Sequence, residues 1–358
     1  MSDLNIRETL LELLTDWGVS GYEGNITARF RKALSYFTDD IRVDKLGNLI
    51  ATVKGEGPEP RPKVMLAAHM DEIGLMVTKI EAQGFLRVTA VGGVDPRTQM
   101  AQEVVVHGRD GDYVGIFGSM PPHLTSPSER GKSAPLEDMF IDLAMPEERV
   151  REKVRVGDLV TIRRTPLELP FDRISGKSLD NRASMTATLE CLQELKRLHH
   201  QADVIVVGTV QEERGRLGAW TSMFGIEPDI GIAIDVTFGD MPGAPDDASF
   251  PLDGGPCIFW GPNISLKVAR SMFDVAKRLN MPVQKELGQR ESGTDVDSMQ
   301  LTGAGYPTGL VSIPVRYMHT SVETVCYRDI ERTGQLLAHT IAGVDRAYVE
   351  GLTCFLKD

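Results

Sequence analysis

The chain has 358 residues, 41% of them apolar and 25% charged, with a formal net charge of −12. That length suits about two domains, since single hydrophobic cores stop growing near ~250–300 residues, and the composition is that of a globular protein rather than a disordered one. The acidic balance and the lack of any Lys/Arg cluster argue against nucleic acid or an anionic membrane as partner, because neutralising phosphates needs a basic face.

In chain order, "MSDLNIRETLLELLTDWG" (1–18) predicts an amphipathic helix with Leu10, Leu13, Leu14 and Trp17 on its apolar side. It lacks the basic and apolar regions of a signal peptide, and no apolar run approaches the ~20 residues of a membrane span, so a soluble, cytoplasmic protein is expected. Four runs read as strands buried on both faces, as in a parallel sheet: "KVMLAAH" (63–69), "DVIVVGTV" (203–210), "DIGIAID" (229–235) and "TGLVSIP" (308–314).

Residues 74–165 have a different texture. Val/Thr/Tyr-rich runs joined by turn signals, among them an Asp110-Gly111 hairpin turn, predict a small inserted β-domain. Inside it, the Pro/Ser-rich stretch 119–138 reads as a mobile loop. Beyond the insert, Met185, Leu189, Leu192 and Leu195 recur at helical spacing, and residues 263–280 read as another helix. The expected fold class is therefore α/β: a mixed, largely parallel sheet flanked by helices and formed by 1–73 and 166–358, with a β-barrel or PDZ-like insert over 74–165. The cysteines Cys191, Cys257, Cys326 and Cys354 show no C-x-x-C spacing, which points to neither a zinc knuckle nor a disulfide framework and fits a reducing compartment.

The strand ends carry the chemistry. The first run ends in His69 and is followed by Asp71; the second leads to Glu212 and Glu213; the third ends in Asp235; the fourth precedes His319 by five residues. Ligands of open α/β sheets bind outside the carboxyl ends of the strands, so these side chains are expected at one rim. Asp180, in "SGKSLDNRAS" (175–184), reads either as a helix N-cap or as a further carboxylate at that rim. Two histidines with three or more carboxylates suit zinc or cobalt better than a purely oxygen-liking cation. Two such ions about 3.5–4 Å apart need a shared ligand, for which Asp180 is the candidate.

The motifs "SGYEG" (20–24), "AAHMDEIG" (67–74), "SLDNRAS" (178–184), "TVQEERGRLGA" (209–219), "AIDVT" (233–237), "ESGTDVDSMQ" (291–300) and "VSIPVRYMHTSVE" (311–323) together resemble the M42 family of metalloaminopeptidases. These are the tetrahedral, TET-like aminopeptidases of the dinuclear-zinc peptidase clan, and the likeness runs through nearly the whole chain. It implies that Asp180 bridges two metals, that His69 and Asp235 complete one and Glu213 and His319 the other. It further implies that Glu212 is the general base and Asp71 the partner that fixes the His69 ring. Two divalent ions per subunit, Zn2+ or Co2+, follow from the same likeness. So do short peptide substrates and a homododecamer built from dimers through the insert, with its sites facing inward. One departure stands out: after the acidic pair comes Arg214-Gly215-Arg216-Leu217-Gly218-Ala219, where the family pattern is Val-Gly-Leu-Arg-Gly-Ala.

Asp295 reads either as a contact for the substrate amine or as the entry to a helix, His107 and His123 as structural or solvated residues of the insert, and the loop 239–256 as a pocket wall or a surface excursion. Two rival readings have distinct signatures. A carbohydrate hydrolase would use paired carboxylates such as Glu212 with another acid, but it needs no strand-end histidines and draws on more aromatic residues than the 6% present here. A non-catalytic assembly protein would have its site broken, whereas every motif acid and histidine is in place.

Overall fold

The computed structural model describes residues 4–118, 120, 121, 123, 124, 132 and 134–352. Cys354 and part of the loop 119–138 lie outside the described residues. Cys191, Cys257 and Cys326 are free and buried.

The strands before the insert are β1 (Ile41–Val43), β2 (Leu49–Val53) and β3 (Lys63–His69). The insert holds β4 (Gly74–Ile80), β5 (Leu86–Val91), β6 (Glu103–His107), β7 (Asp112–Gly118), β8 (Phe140–Asp142) and β9 (Leu159–Ile162). After it come β10 (Leu167–Leu169), β11 (Arg173–Gly176), β12 (Asp203–Thr209), β13 (Ile230–Phe238), β14 (Cys257–Trp260), β15 (Gln284–Leu287), β16 (Thr308–Val315) and β17 (Glu323–Cys326).

Eight strands form one mixed sheet in the order β1-β2-β12-β3-β13-β16-β14-β15. Its centre, β12-β3-β13-β16, is parallel, and there the runs are buried end to end: every residue of β12 and β16 is buried. Continuous burial on both faces is what the unbroken Val/Ile/Ala character of these segments requires. The helix Leu179–Leu195 is buried along nearly its whole length and packs between the sheet and the helix Tyr327–Ile341. Leu10, Leu13 and Leu14 of the helix Ile6–Thr15 join the same core. Trp17 falls beyond the end of that helix and stacks instead on His107, with ring centroids 3.9 Å apart.

Strands β4-β5-β8-β7-β6-β9 close into a barrel with its own core, in which Val77, Val88, Phe117, Ile141 and Val160 are buried. Period-two alternation is plain on β7, where Phe117 points inward while Val114 and Ile116 stay 53% and 55% exposed. A third, small sheet, β10-β11-β17, lies beside the start of the helix Leu179–Leu195.

Two local readings of the sequence differ from the structure. Asp235 lies inside β13, three residues before its end, because β13 continues along β16 to the pair Phe238–Val315 after its pairing with β3 has stopped at Ala233–Ala67. Asp235 therefore stands level with the last residue of β3, beyond the point where the two strands stop pairing. Asp180 falls within the helical segment, but with non-helical backbone (φ −78°, ψ 99°), as does Asn181, so the regular helix starts after both.

Candidate metal centre

Strand register builds the site. Thr209 pairs with His69 across β12 and β3, and extending the Ala67–Ala233 pairing by two residues brings His69 level with Asp235. Three neighbouring parallel strands thus bring Thr209, His69 and Asp235 to one height, where β12 and β3 end and β13 runs on to Phe238. The loop after β12 is held by Asp71, whose two carboxylate oxygens accept the main-chain N–H groups of Glu212 (3.0 Å) and Glu213 (3.1 Å). Consecutive N–H groups anchored on one buried carboxylate turn the chain, and the two glutamates leave the turn in different directions.

Asp180 is the centre of the cluster. Its Oδ1 lies 3.1 Å from His69 Nε2 and its Oδ2 lies 3.2 Å from His319 Nε2. Asp235 Oδ1 stands 3.7 Å from the His69 nitrogen, and Glu213 Oε1 stands 3.4 Å from that of His319. Two donor sets result, His69/Asp180/Asp235 and Asp180/Glu213/His319, each with its donor atoms within 4.8 Å of one another. The outer nitrogens of both rings are engaged by carbonyls: His69 Nδ1 with Asp71 O at 3.1 Å and His319 Nδ1 with Gly93 O at 3.1 Å. The carbonyl of Asp71 is thus a closer partner of His69 than its carboxylate, whose Oδ1 is 3.6 Å away. Gly93 belongs to the insert and must be glycine, since a Cβ there would come within 2.8 Å of the His319 ring nitrogen. His319 itself adopts a left-handed backbone (φ 62°) that turns its side chain back over the rim.

Electrostatics follow from so many acids in so little space. Burial pushes the Glu212 carboxyl up to about 10, with Asp235, Asp295 and Glu213 adding to the rise and His69 opposing it. Burial raises Glu213 and Asp235 too. Hydrogen bonds to Asp180 and Glu213 carry the His319 imidazole up to about 11. For Asp180 burial works upward, but the two histidines outweigh it and hold the carboxyl below its usual range. These groups therefore share protons when no cation is near, and a divalent ion competes for the same lone pairs. Imidazole nitrogens mixed with carboxylate oxygens fit a borderline ion such as Zn2+ or Co2+.

The cluster forms the floor of a cavity of about 690 Å3, lined also by Glu212, Arg216, Phe238, Glu286, Glu291, Thr294 and Met318. Arg216, one of the residues that depart from the family pattern, is paired with Asp297 at 2.8 Å. Asp295 starts the helix Asp295–Leu301 beneath this floor: it is 2% exposed, accepts from Thr209 Oγ1 at 2.5 Å and does not line the cavity. Burial, foremost, lifts its carboxyl to about 7. Its geometry favours the structural reading over contact with a substrate amine. None of residues 239–256 lines the cavity, which leaves that loop as a surface excursion. His107 bonds Asp112 and Thr161 within the barrel and His123 is exposed, and neither lines the cavity. Glu286, Gly93 and Glu323 escaped the sequence reading. For Glu323 the available signal was its place four residues after His319; for the other two, on an edge strand and in the insert, no local pattern marks them.

A family model described as M42 glutamyl aminopeptidase matches residues 47–336. The lysyl aminopeptidase of Pyrococcus furiosus is 37% identical over 333 residues, covering 92% of this chain and 94% of that protein. Among solved structures, an aminopeptidase from the archaeon Desulfurococcus kamchatkensis superposes with a TM-score of 0.89 at 34% identity, covering 97% of each chain. The TET1 peptidase of Pyrococcus horikoshii, described as assembling into a tetrahedron or a large octahedral shell, gives a TM-score of 0.83 at 30% identity over 95% of this chain and 100% of that one. Likeness of this extent, over the very segments that bring the acids and histidines to one rim, makes the chain a member of the M42 peptidase family.

Proposed function

We propose that the chain is a dinuclear-metal aminopeptidase that removes N-terminal residues from short peptides. The observation that carries this reading is the division of Asp180, one oxygen facing His69 and the other His319, each beside its own second carboxylate. In this reading His69, Asp180 and Asp235 hold one divalent ion, and Asp180, Glu213 and His319 hold the other. Bound there, the ions would supply Lewis acidity, drawing the pKa of a water towards ~7 and polarising the scissile carbonyl.

The protein's own part is to hold and move a proton. Glu212 lines the cavity but belongs to neither donor set, so its carboxylate is free to take a proton from water and pass it to the leaving amine. Divalent ions held by the adjoining donor sets would lower the Glu212 carboxyl from its cation-free range, which is what a base requires. Asp71 acts by fixing the turn that separates Glu212 from Glu213. Peptides with a free amino terminus should be cleaved with Zn2+ or Co2+ present, and their N-acetylated counterparts should not. Equal cleavage of both would overturn the aminopeptidase assignment, and hydrolysis of β-glucans in excess chelator would favour the carbohydrate-hydrolase reading instead.

The same reading makes the protein a cytoplasmic homododecamer built from dimers. Support comes from the outward Val114 and Ile116 of the insert, two exposed apolar side chains on one face of β7, and from the shell-forming relative. No described helix is long and apolar enough to cross a membrane. Light scattering on the metal-loaded protein should give a mass near twelve chains. Removing residues 76–163 behind a short linker should give a smaller species, and dodecamers from that variant would rule out the insert as the assembly element.

A further inference from the structure

Resting on the two-cation reading, we infer that Glu323 is a positioning residue that sets the spacing of Asp180 and His319 through their backbones. Glu323 opens β17 and is 2% exposed. Its Oε2 accepts the main-chain N–H of Asp180 at 3.0 Å, and its Oε1 accepts that of His319 at 2.8 Å. One carboxylate thus ties together two segments 139 residues apart in sequence.

Both N–H groups need such an acceptor. Asp180 sits in the first turn of its helical segment, where N–H groups have no intrahelical partner, and His319 sits in a left-handed turn. A donor shielded from water is costly to leave unpaired, so the carboxyl group holds both segments. Among the described residues no basic side chain forms an ion pair with Glu323; the nearby Lys177 is committed to Glu72 at 2.7 Å. The two oxygens of Glu323 are therefore spent on the two backbones. Neither His69 nor Asp235 touches it, so Glu323 restrains two members of the Asp180/Glu213/His319 set but only one of the other.

This asymmetry gives a selective outcome. In Glu323→Gln the amide can accept from one N–H but presents its own NH2 to the other, setting donor against donor. Glu323→Asp keeps the carboxyl group and is one methylene too short to reach both. Metal-stripped wild type and both variants, full length, are to be titrated with Co2+ and followed by calorimetry and by the visible Co2+ spectrum. Wild type should bind two equivalents. Each variant should bind one equivalent as wild type does and the other roughly 10–100-fold more weakly, the usual cost of losing a partner that orients a ligand. Turnover should fall at limiting Co2+ and return at saturation, with KM unchanged. Wild-type affinity for both equivalents in the two variants overturns the inference. So does wild-type behaviour of Glu323→Asp alone, since the carboxyl group rather than its reach would then be the cause. If Glu323→Gln does not fold, Glu323→Asp carries the comparison. Fewer than two equivalents in wild type would instead refute the two-cation reading itself.

Discussion

Glu212→Gln is expected to keep two bound cations and to lose about 10²–10⁴-fold in kcat, the usual contribution of a positioned general base. The loss corresponds to about 3–5 kcal/mol of transition-state stabilisation. The expectation rests on geometry: Glu212 lines the cavity beside both donor sets and is a member of neither. Its main-chain N–H stays anchored on Asp71 in the variant, so the turn that carries Glu213 is undisturbed. Substrate binding should change little, because the amide keeps the size of the side chain and removes only the capacity to take a proton. Elemental analysis beside steady-state kinetics checks both halves, and a variant that had lost a metal would transfer the ligand role to Glu212.

Glu213→Gln is expected to do the reverse, giving up one cation first and activity as a consequence. Glu213 Oε1 is 3.4 Å from His319 Nε2, inside the second donor set, and an amide oxygen is a far weaker partner for a dication than a carboxylate. The affinity lost at that position should exceed the roughly 10–100-fold that follows removal of a group merely supporting a ligand. Excess Zn2+ or Co2+ should restore part of the activity, which it cannot do for Glu212→Gln. Equilibrium dialysis of the two variants side by side separates the adjacent acids, and normal metal content in Glu213→Gln would reverse their assignment.

The parts of the fold written in continuous apolar runs were legible from the chain alone. β3, β12 and β16 match the predicted segments within a residue, because a strand buried on both faces leaves little freedom in composition. His69 could be placed because it closes such a run. Asp235 was placed at the right rim but at the wrong point of its strand, since the length of β13 depends on its partner β16 rather than on its own residues. The barrel was recognisable as β-rich, yet nothing local in it announces that Gly93 would supply a carbonyl to His319 from another part of the molecule. Glu323 was quoted in a motif and given no task, because its work is on two backbones whose approach exists only after folding. Glu286 reaches the cavity from β15, an edge strand of four residues with too short a pattern to read. Side chains whose role is set by strand ends were thus readable, and those whose role is set by loop-to-loop contact were not.

The most direct test is a metal titration of the stripped wild-type protein, with cleavage of an aminoacyl-anilide and bound metal measured at each step. Chelation should abolish activity, since deprotonated carboxylates and neutral imidazoles release their ions when an excess of a stronger ligand is present. Added Zn2+ or Co2+ should restore it, with activity reaching its plateau at two equivalents per chain and elemental analysis finding two ions bound. Full aminopeptidase activity in protein shown to carry no metal would contradict the account at its centre.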